Sequence, residues 1–481
     1  MTAVAPARTG TSNSTAAPWL MLPVLSLTVM TVAMMQTMVV PVIGRIGDQL
    51  DVGTTAVGWV LTANLLAAAV STPILGRLAD LRGKRPVLIG ILVVVLCGSL
   101  LAALTHALPL LILGRVLQGA SFALFPIGIA ILRDELPAER LVGAMGLLSG
   151  MLGVGGGVGM VVTGLLVHDD TDYRRVFWFT AVVGLVVLVA AMASIPVRPS
   201  VASGPLDWIG AALLALGLVL VLLALSEGAH WGWGSPGTIG CAAGGVVVLA
   251  GWFAFERRTA HPLVPPQMPT RRPVLVANLT ALLVGAALFV GFLACAYLVQ
   301  APRAVAGYGF DATVLETGAV YLLPGAVVGV VASVCSGRLL NRFGPRGVLI
   351  GACLLGIAGF VLAALSHDAV APVIVAMTAV QVFISLAYAA LPAMIVAEVD
   401  QAETGIANSV NSIARTIGSS LSSALISTLL TILTVSGTAV PRETAFVIAF
   451  AVGAGVAGLA LVLTVIASTG TRAQEADILV S

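Results

Sequence analysis

Fourteen stretches of the chain run for about 20 residues or more with almost no charge: 20–43, 55–75, 86–105, 108–132, 141–166, 176–195, 206–226, 237–255, 273–298, 314–336, 347–366, 372–396, 405–431 and 444–467. A helix needs roughly 20 apolar residues to cross the ~30 Å hydrocarbon core of a bilayer. Inside that core every backbone amide must be satisfied by protein, which a helix achieves alone. The runs therefore predict an all-α polytopic membrane protein. Only 9% of the residues are charged and the mean hydropathy is +1.09, whereas soluble domains are about one quarter charged, so a water-soluble globule is excluded. The first run is too long for a signal-peptide core and no cleavage site follows it, so it is expected to remain as a span. Residues 1–18, rich in Ala, Thr, Ser and Pro, lack aliphatic bulk and are expected to be a disordered tail.

An even number of spans places both ends of the chain on one side. Sixteen of the 23 basic residues fall in one set of loops and tails; five, Arg45, Arg174, Arg175, Arg303 and Arg442, fall in the other. Because basic loops stay inside, both termini are expected in the cytoplasm and the chain in the cell membrane, with residues 468–481 as a second cytoplasmic tail.

One short sequence occurs twice. GRLADLRGKR at 76–85 returns as GRLLNRFGPR at 337–346, 261 positions later (337 minus 76), each time between two apolar runs. Registering the copies aligns runs one to six with runs nine to fourteen. Pro126 then precedes Asp134 by eight residues as Pro392 precedes Asp400. The expected organisation is one six-helix bundle at 19–197, a linker with two inserted helices at 198–272, and a second six-helix bundle at 273–467. Internal duplication is a habit of secondary transporters, which hold their substrate near mid-membrane between the repeats.

These motifs resemble the major facilitator superfamily, and the number of runs resembles the larger of its two drug:proton antiporter families. Gly76, Leu78, Asp80, Gly83 and Arg85 match the signature of the first basic hairpin; Arg115, Gln118 and Gly119 match a second signature in run four. LDWIGAALLALGLVLVLLALSEG (206–228) and YLVQAPRAVAGYGFDATVLETGAVYLLPG (297–325) resemble the inserted pair and the junction between runs nine and ten. The resemblance implies two six-helix bundles, alternating access and export of drugs, antibiotics or natural products by proton antiport. It also implies that Asp80 latches onto the start of run thirteen near Gly405, where a helix N-terminus favours an anion. In the second hairpin Gly337, Asn341 and Arg346 would act similarly, with the charge lost at Asn341. Two positions depart from the family pattern. The run-five signature fits best as Gly155, Gly159, Met160, Thr163 and Gly164, with Met160 in place of proline, and Met35 stands where the first run usually has an acid.

An ionisable group in hydrocarbon costs at least a few kcal/mol, so one found at depth is a functional hypothesis. Arg115 lies roughly 10 Å and Arg415 roughly 15 Å into their runs, at 1.5 Å per residue, while no carboxylate is expected at similar depth. Polar residues recur at helical spacing: Asn408, Asn411, Arg415, Ser419 and Ser422 in run thirteen; Gln381, Ser385 and Tyr388 in run twelve; Arg115 and Gln118 in run four. Such stripes face protein or water, not lipid; helix-to-helix hydrogen bonding and a substrate-lining wall both fit them. Gln36, Asn64 and Tyr297 are further substrate candidates. Glu316, Glu135 and Glu398 are candidate proton carriers, if desolvation favours their neutral form, or else carboxylates that stay wet. Nine glycines in run five, Gly155 and Gly159 among them, allow close helix approach and sliding.

The five cysteines all lie in apolar runs, the five histidines lie near run ends or in loops, and no GxxxxGK[ST] loop occurs. No cofactor, metal or nucleic acid is expected, and no enzyme activity. The chain reads as a monomeric exporter of lipophilic small molecules whose partners are its substrate, protons and membrane lipid. With arginines but no acids at depth, the cargo is expected to be neutral or anionic. The alternatives are a lipid or metabolite transporter of the same fold, or a non-transporting receptor or scaffold.

Overall fold

The computed structural model describes residues 18–167, 171–200, 204–260, 262–435, 438 and 440–480. Nearly all of the expected disordered tail lies outside them. Among the described residues the chain is helical, with one isolated bridge between Thr434 and Pro441. Thirteen helices are long and apolar enough to cross a membrane: α1 (Leu20–Leu50), α2 (Ala56–Arg82), α3 (Lys84–Leu104), α4 (Leu108–Glu135), α5 (Glu139–Leu166), α6 (Arg174–Ser194), α7 (Trp208–Gly228), α8 (Pro236–Glu256), α9 (Arg272–Gln300), α10 (Val314–Leu365), α11 (Val370–Val396), α12 (Thr404–Ile432) and α13 (Glu443–Ile466).

The difference from fourteen lies in α10, which joins runs ten and eleven into 52 residues. At 1.5 Å per residue that is about 78 Å, well over twice the hydrocarbon thickness. Gly344 breaks it, with φ 71° and ψ 162°, ahead of Pro345. Gly83, the matching residue of the first hairpin, has φ 97° and separates α2 from α3. Both basic motifs thus turn on a glycine in a region that side chains rarely enter.

Three of these helices start on ordinary capping chemistry. The Asp207 carboxylate accepts from Gly210 N at 2.8 Å and Ser235 Oγ from Thr238 N at 3.2 Å, at the heads of α7 and α8. Thr313 and Glu316 form a reciprocal capping box at the head of α10. A π-helical turn over Thr317–Leu322 widens the next stretch of that helix.

The first six helices pack mainly on one another, as do α9 to α13. Contact between these sets runs along two seams, α5 with α10 and α11, and α12 with α2 and α4. The crossings are glycine-lined and repeat with the copies exchanged. A Cβ on Gly76 of α2 would meet Ser409 and Gly405 of α12; a Cβ on Gly337 of α10 would meet the backbone of Gly143 of α5. Gly146 and Gly150 of α5 press on Ser336 and Ser333 of α10, while Gly155 and Gly159 turn to Met30 and Met34 of α1. Of the inserted pair, α7 packs against α2 and α12, whereas α8 rests on α7 with 11% of its apolar window buried.

Candidate functional site

Where α1, α5, α9, α10 and α11 converge lies a cavity of about 80 Å³. A second, of about 70 Å³, adjoins it toward α4 and α12. They share Ala33, Gln36, Leu152, Leu288 and Phe289. Their walls come from both sets of helices.

Arg415 of α12 lines the second cavity and is 6% exposed. Its guanidinium carbon sits 4.6 Å from the centre of the Phe125 ring and 4.8 Å from that of Tyr388. Nη2 donates to Ser412 Oγ at 2.8 Å, and Nη1 is buried with no partner. No residue lining either cavity is acidic. In the first cavity Gln381 Nε2 is likewise buried and unpartnered. Gln36, Gln381, Tyr388 and Arg415 therefore all line these two adjoining cavities.

The other expected substrate residues lie elsewhere. Arg115, 1% exposed, donates to Val60 O at 3.0 Å, Met35 O at 3.4 Å and Gln118 Oε1 at 2.7 Å. Gln118 donates onward to Ser99 Oγ at 2.9 Å, and Asn64 Nδ2 to the Arg115 carbonyl at 2.9 Å. This closed network ties α1, α2, α3 and α4 together and reaches neither cavity. With Met35 in place of an acid, carbonyl oxygens serve the guanidinium. Asn408 donates to Thr404 O of its own helix at 3.0 Å, whereas Asn411 donates to Ala277 O at 3.2 Å and Asn278 Oδ1 at 3.1 Å and so fastens α12 to α9. Tyr297 is 53% exposed and lines neither cavity.

Of the candidate proton carriers, Glu316 and Glu398 are not dehydrated, whereas the Glu135 side chain is 12% exposed. Glu316 is exposed, and its Oε2 accepts from Thr313 N at 2.8 Å and Thr313 Oγ1 at 3.0 Å, so it caps a helix. Glu135 is held by Arg198 through two hydrogen bonds, of 2.7 and 3.1 Å, and Glu398 is exposed. Two further acids, both at helix ends, are buried. Glu227 of α7 is 4% exposed, within 3.4 Å of Thr62 Oγ1 of α2, and Glu256 is 1% exposed at the end of α8. In sequence both stand at the edges of apolar runs; the helices extend past those edges.

At the end bearing the basic hairpins the two sets are joined by hydrogen bonds. Asp80, 4% exposed, accepts from Ile406 N at 3.1 Å, at the head of α12. Lys84 pairs with Asp134, which accepts from Gln401 Nε2 at 2.9 Å. Arg133 donates to Val399 O at 2.8 Å, to Asp400 O at 3.1 Å and to Thr404 Oγ1. Arg85 donates to Met192 O at 2.7 Å. The second hairpin is not the mirror of the first: Asn341 is exposed and Arg346 half-buried, and Gly337 makes the close crossing alone. At the opposite end a cavity of about 340 Å³ opens between α1, α5 and α10.

Comparison with known proteins follows the same lines. The chain is 30% identical over 352 residues to the tetracenomycin C resistance and export protein of Streptomyces glaucescens, covering 73% of this chain and 64% of that one. It is 32% identical over 391 residues to the puromycin resistance protein of Streptomyces alboniger, covering 79% and 76%. The match to an uncharacterised transporter of Mycobacterium tuberculosis spans only 46% of that relative's length. The human organic anion transporter MFSD10 (TETRAN) superposes with a TM-score of 0.62 over 93% of this chain and 99% of its own, at 15% identity, which is a likeness of fold. The family model described as Major Facilitator Superfamily matches residues 25–423. With that match spanning most of the chain, this multi-pass membrane protein belongs to the Major Facilitator Superfamily.

Proposed function

We propose that the chain exports lipophilic, neutral or anionic small molecules by alternating access, binding them beside Arg415 between the two six-helix sets. The observation that supports this is a buried guanidinium, its Nη1 unpartnered, on a residue that lines a cavity without an acidic wall. A cation entering there would lose water and gain no counter-charge, whereas an anion would relieve the unpaired group. The resistance and export relatives favour drug or antibiotic cargo. A uridine/deoxyuridine transporter of Lactococcus lactis, 29% identical over 364 residues, keeps metabolite transport as the second reading. Family membership speaks for transport over enzymatic chemistry.

In this reading the chain crosses the membrane fourteen times, with the basic hairpins and both termini cytoplasmic. The joined hairpin end is then the closed inner gate, and the 340 Å³ cavity belongs to the outer side. Cavities of about 80 and 70 Å³ hold no drug-sized molecule, for which pockets of roughly 300–1,000 Å³ are usual, so the helices must part to admit one. Proton antiport supplies the driving force, with the buried Glu227 replacing exposed Glu316 as the leading carrier candidate.

Proteoliposomes with an imposed pH gradient test this. A lipophilic aromatic carboxylate should be moved at least about tenfold faster than ethidium, and Glu227→Gln should uncouple that movement from the gradient. Efficient ethidium movement with the carboxylate ignored would refute the cargo assignment.

A further inference from the structure

Resting on the anion-binding reading above, the geometry points to a second anchor and so to a narrower class of passenger. The site is built for a rigid fused-ring aromatic that carries an acidic oxygen at one end and a carbonyl oxygen at the other. The acid meets Arg415; the carbonyl accepts from Gln381.

Among the residues lining the two cavities, the unpartnered polar atoms are both donors, Gln381 Nε2 and Arg415 Nη1. Gln381 Nε2 and Ser385 Oγ on α11, and Arg415 Nη1 on α12, are all buried without partners. Thr416 and Ser419, which also line the Arg415 cavity, already donate their hydroxyl protons to the carbonyls of Ser412, at 3.0 Å, and Gly285, at 3.2 Å. A buried donor left unmade is costly, and water or ligand oxygen relieves it. Gln381 cannot easily turn away, because Gly153 of α5 and Gly329 of α10 close on its amide and stem; a Cβ on Gly153 would stand 2.3 Å from its Nε2, and one on Gly329 would crowd its Cγ at 3.2 Å.

Length follows from the helix. Gln381 and Tyr388 are two turns apart on one face, a rise of about 10 Å, and the Tyr388 ring lies on the Arg415 guanidinium. Anchoring residues spaced on that scale along the site suit a molecule of two or three fused rings substituted at both ends. Shape agrees: Gly153, Gly156 and Gly157 give the first cavity a wall without side chains, and Phe289 and Phe292 supply aromatic faces.

The experiment uses the full chain in lipid nanodiscs and two ligands of one shape, 6-acetyl-2-naphthoate and 6-isopropyl-2-naphthoate, with binding read by calorimetry. Both carry the acid, but only the first carries a distal carbonyl. The wild-type protein should bind the acetyl compound about tenfold more tightly. Gln381→Leu should erase that ratio while leaving the isopropyl compound within about twofold of wild type, and Gln381→Glu should invert it by repelling the carbonyl. Equal binding of both ligands by the wild type, or a ratio that survives Gln381→Leu, overturns the second anchor and leaves the Arg415 reading standing. If neither ligand binds the wild type, both fall.

Discussion

The guanidinium of Arg415 is costly to keep. Burying an ion without a counter-ion costs several kcal/mol, and stacking on Phe125 and Tyr388 returns about 2 kcal/mol or more once water is excluded. Arg415→Gln should therefore leave thermal stability equal or raised while weakening binding of an aromatic carboxylate by about tenfold or more. Calorimetry and melting curves on the same preparation separate the two effects. Arg415→Lys is expected to rescue poorly, because an ammonium lacks the flat face that fits between two rings. Glu316→Gln, by contrast, should leave transport and its pH dependence unchanged, since the carboxylate is exposed and caps α10. Sequence spacing revealed that Arg415, Gln381 and Tyr388 shared buried faces. It could not separate Arg115, whose stripe looks the same, because periodicity gives a helix face and not the neighbour it meets. Phe125, which stacks on Arg415, carried no signal among so many apolar residues.

At the scale of elements, glycine decides how closely helices approach. Gly337 meets the Gly143 backbone, which cannot give way as a side chain could, whereas a Cβ on Gly143 would stand 3.7 Å from Gly337 Cα, ordinary contact. Gly337→Ala should cost about 1–3 kcal/mol, the range for overpacking, and Gly143→Ala much less; melting temperatures in detergent would show the difference. Gly344→Ala should cost about 1–3 kcal/mol through backbone strain alone, since open space surrounds it. Gly351→Ala, helical and equally open, should be neutral or stabilising. The repeated hairpin was legible because its glycine turn and charges stand out against apolar sequence. Gly344, at the matching place of the second hairpin, interrupts α10 as the repeat implies.

Across the whole molecule, the two sets of helices are fastened unequally. The first hairpin puts a buried Asp80 at the head of α12, and the second puts an exposed Asn341 at the matching place. Asp80→Asn should loosen the hairpin end by up to about 2 kcal/mol, the most a helix terminus gives a partly buried charge. In a cysteine-free background carrying Ser409→Cys, buried beneath that contact, the change should speed labelling by a maleimide applied from the cytoplasmic side. Unchanged labelling would show that Asp80 holds nothing shut.

The charge preference of the cavity is tested most directly by titrating the purified protein with 2-naphthoate and with 2-naphthyltrimethylammonium, equal in ring and opposite in charge. The wild-type chain should bind the anion and not the cation, and Arg415→Gln should abolish the preference. Tighter binding of the cation, or an anion affinity indifferent to Arg415→Gln, would contradict the account.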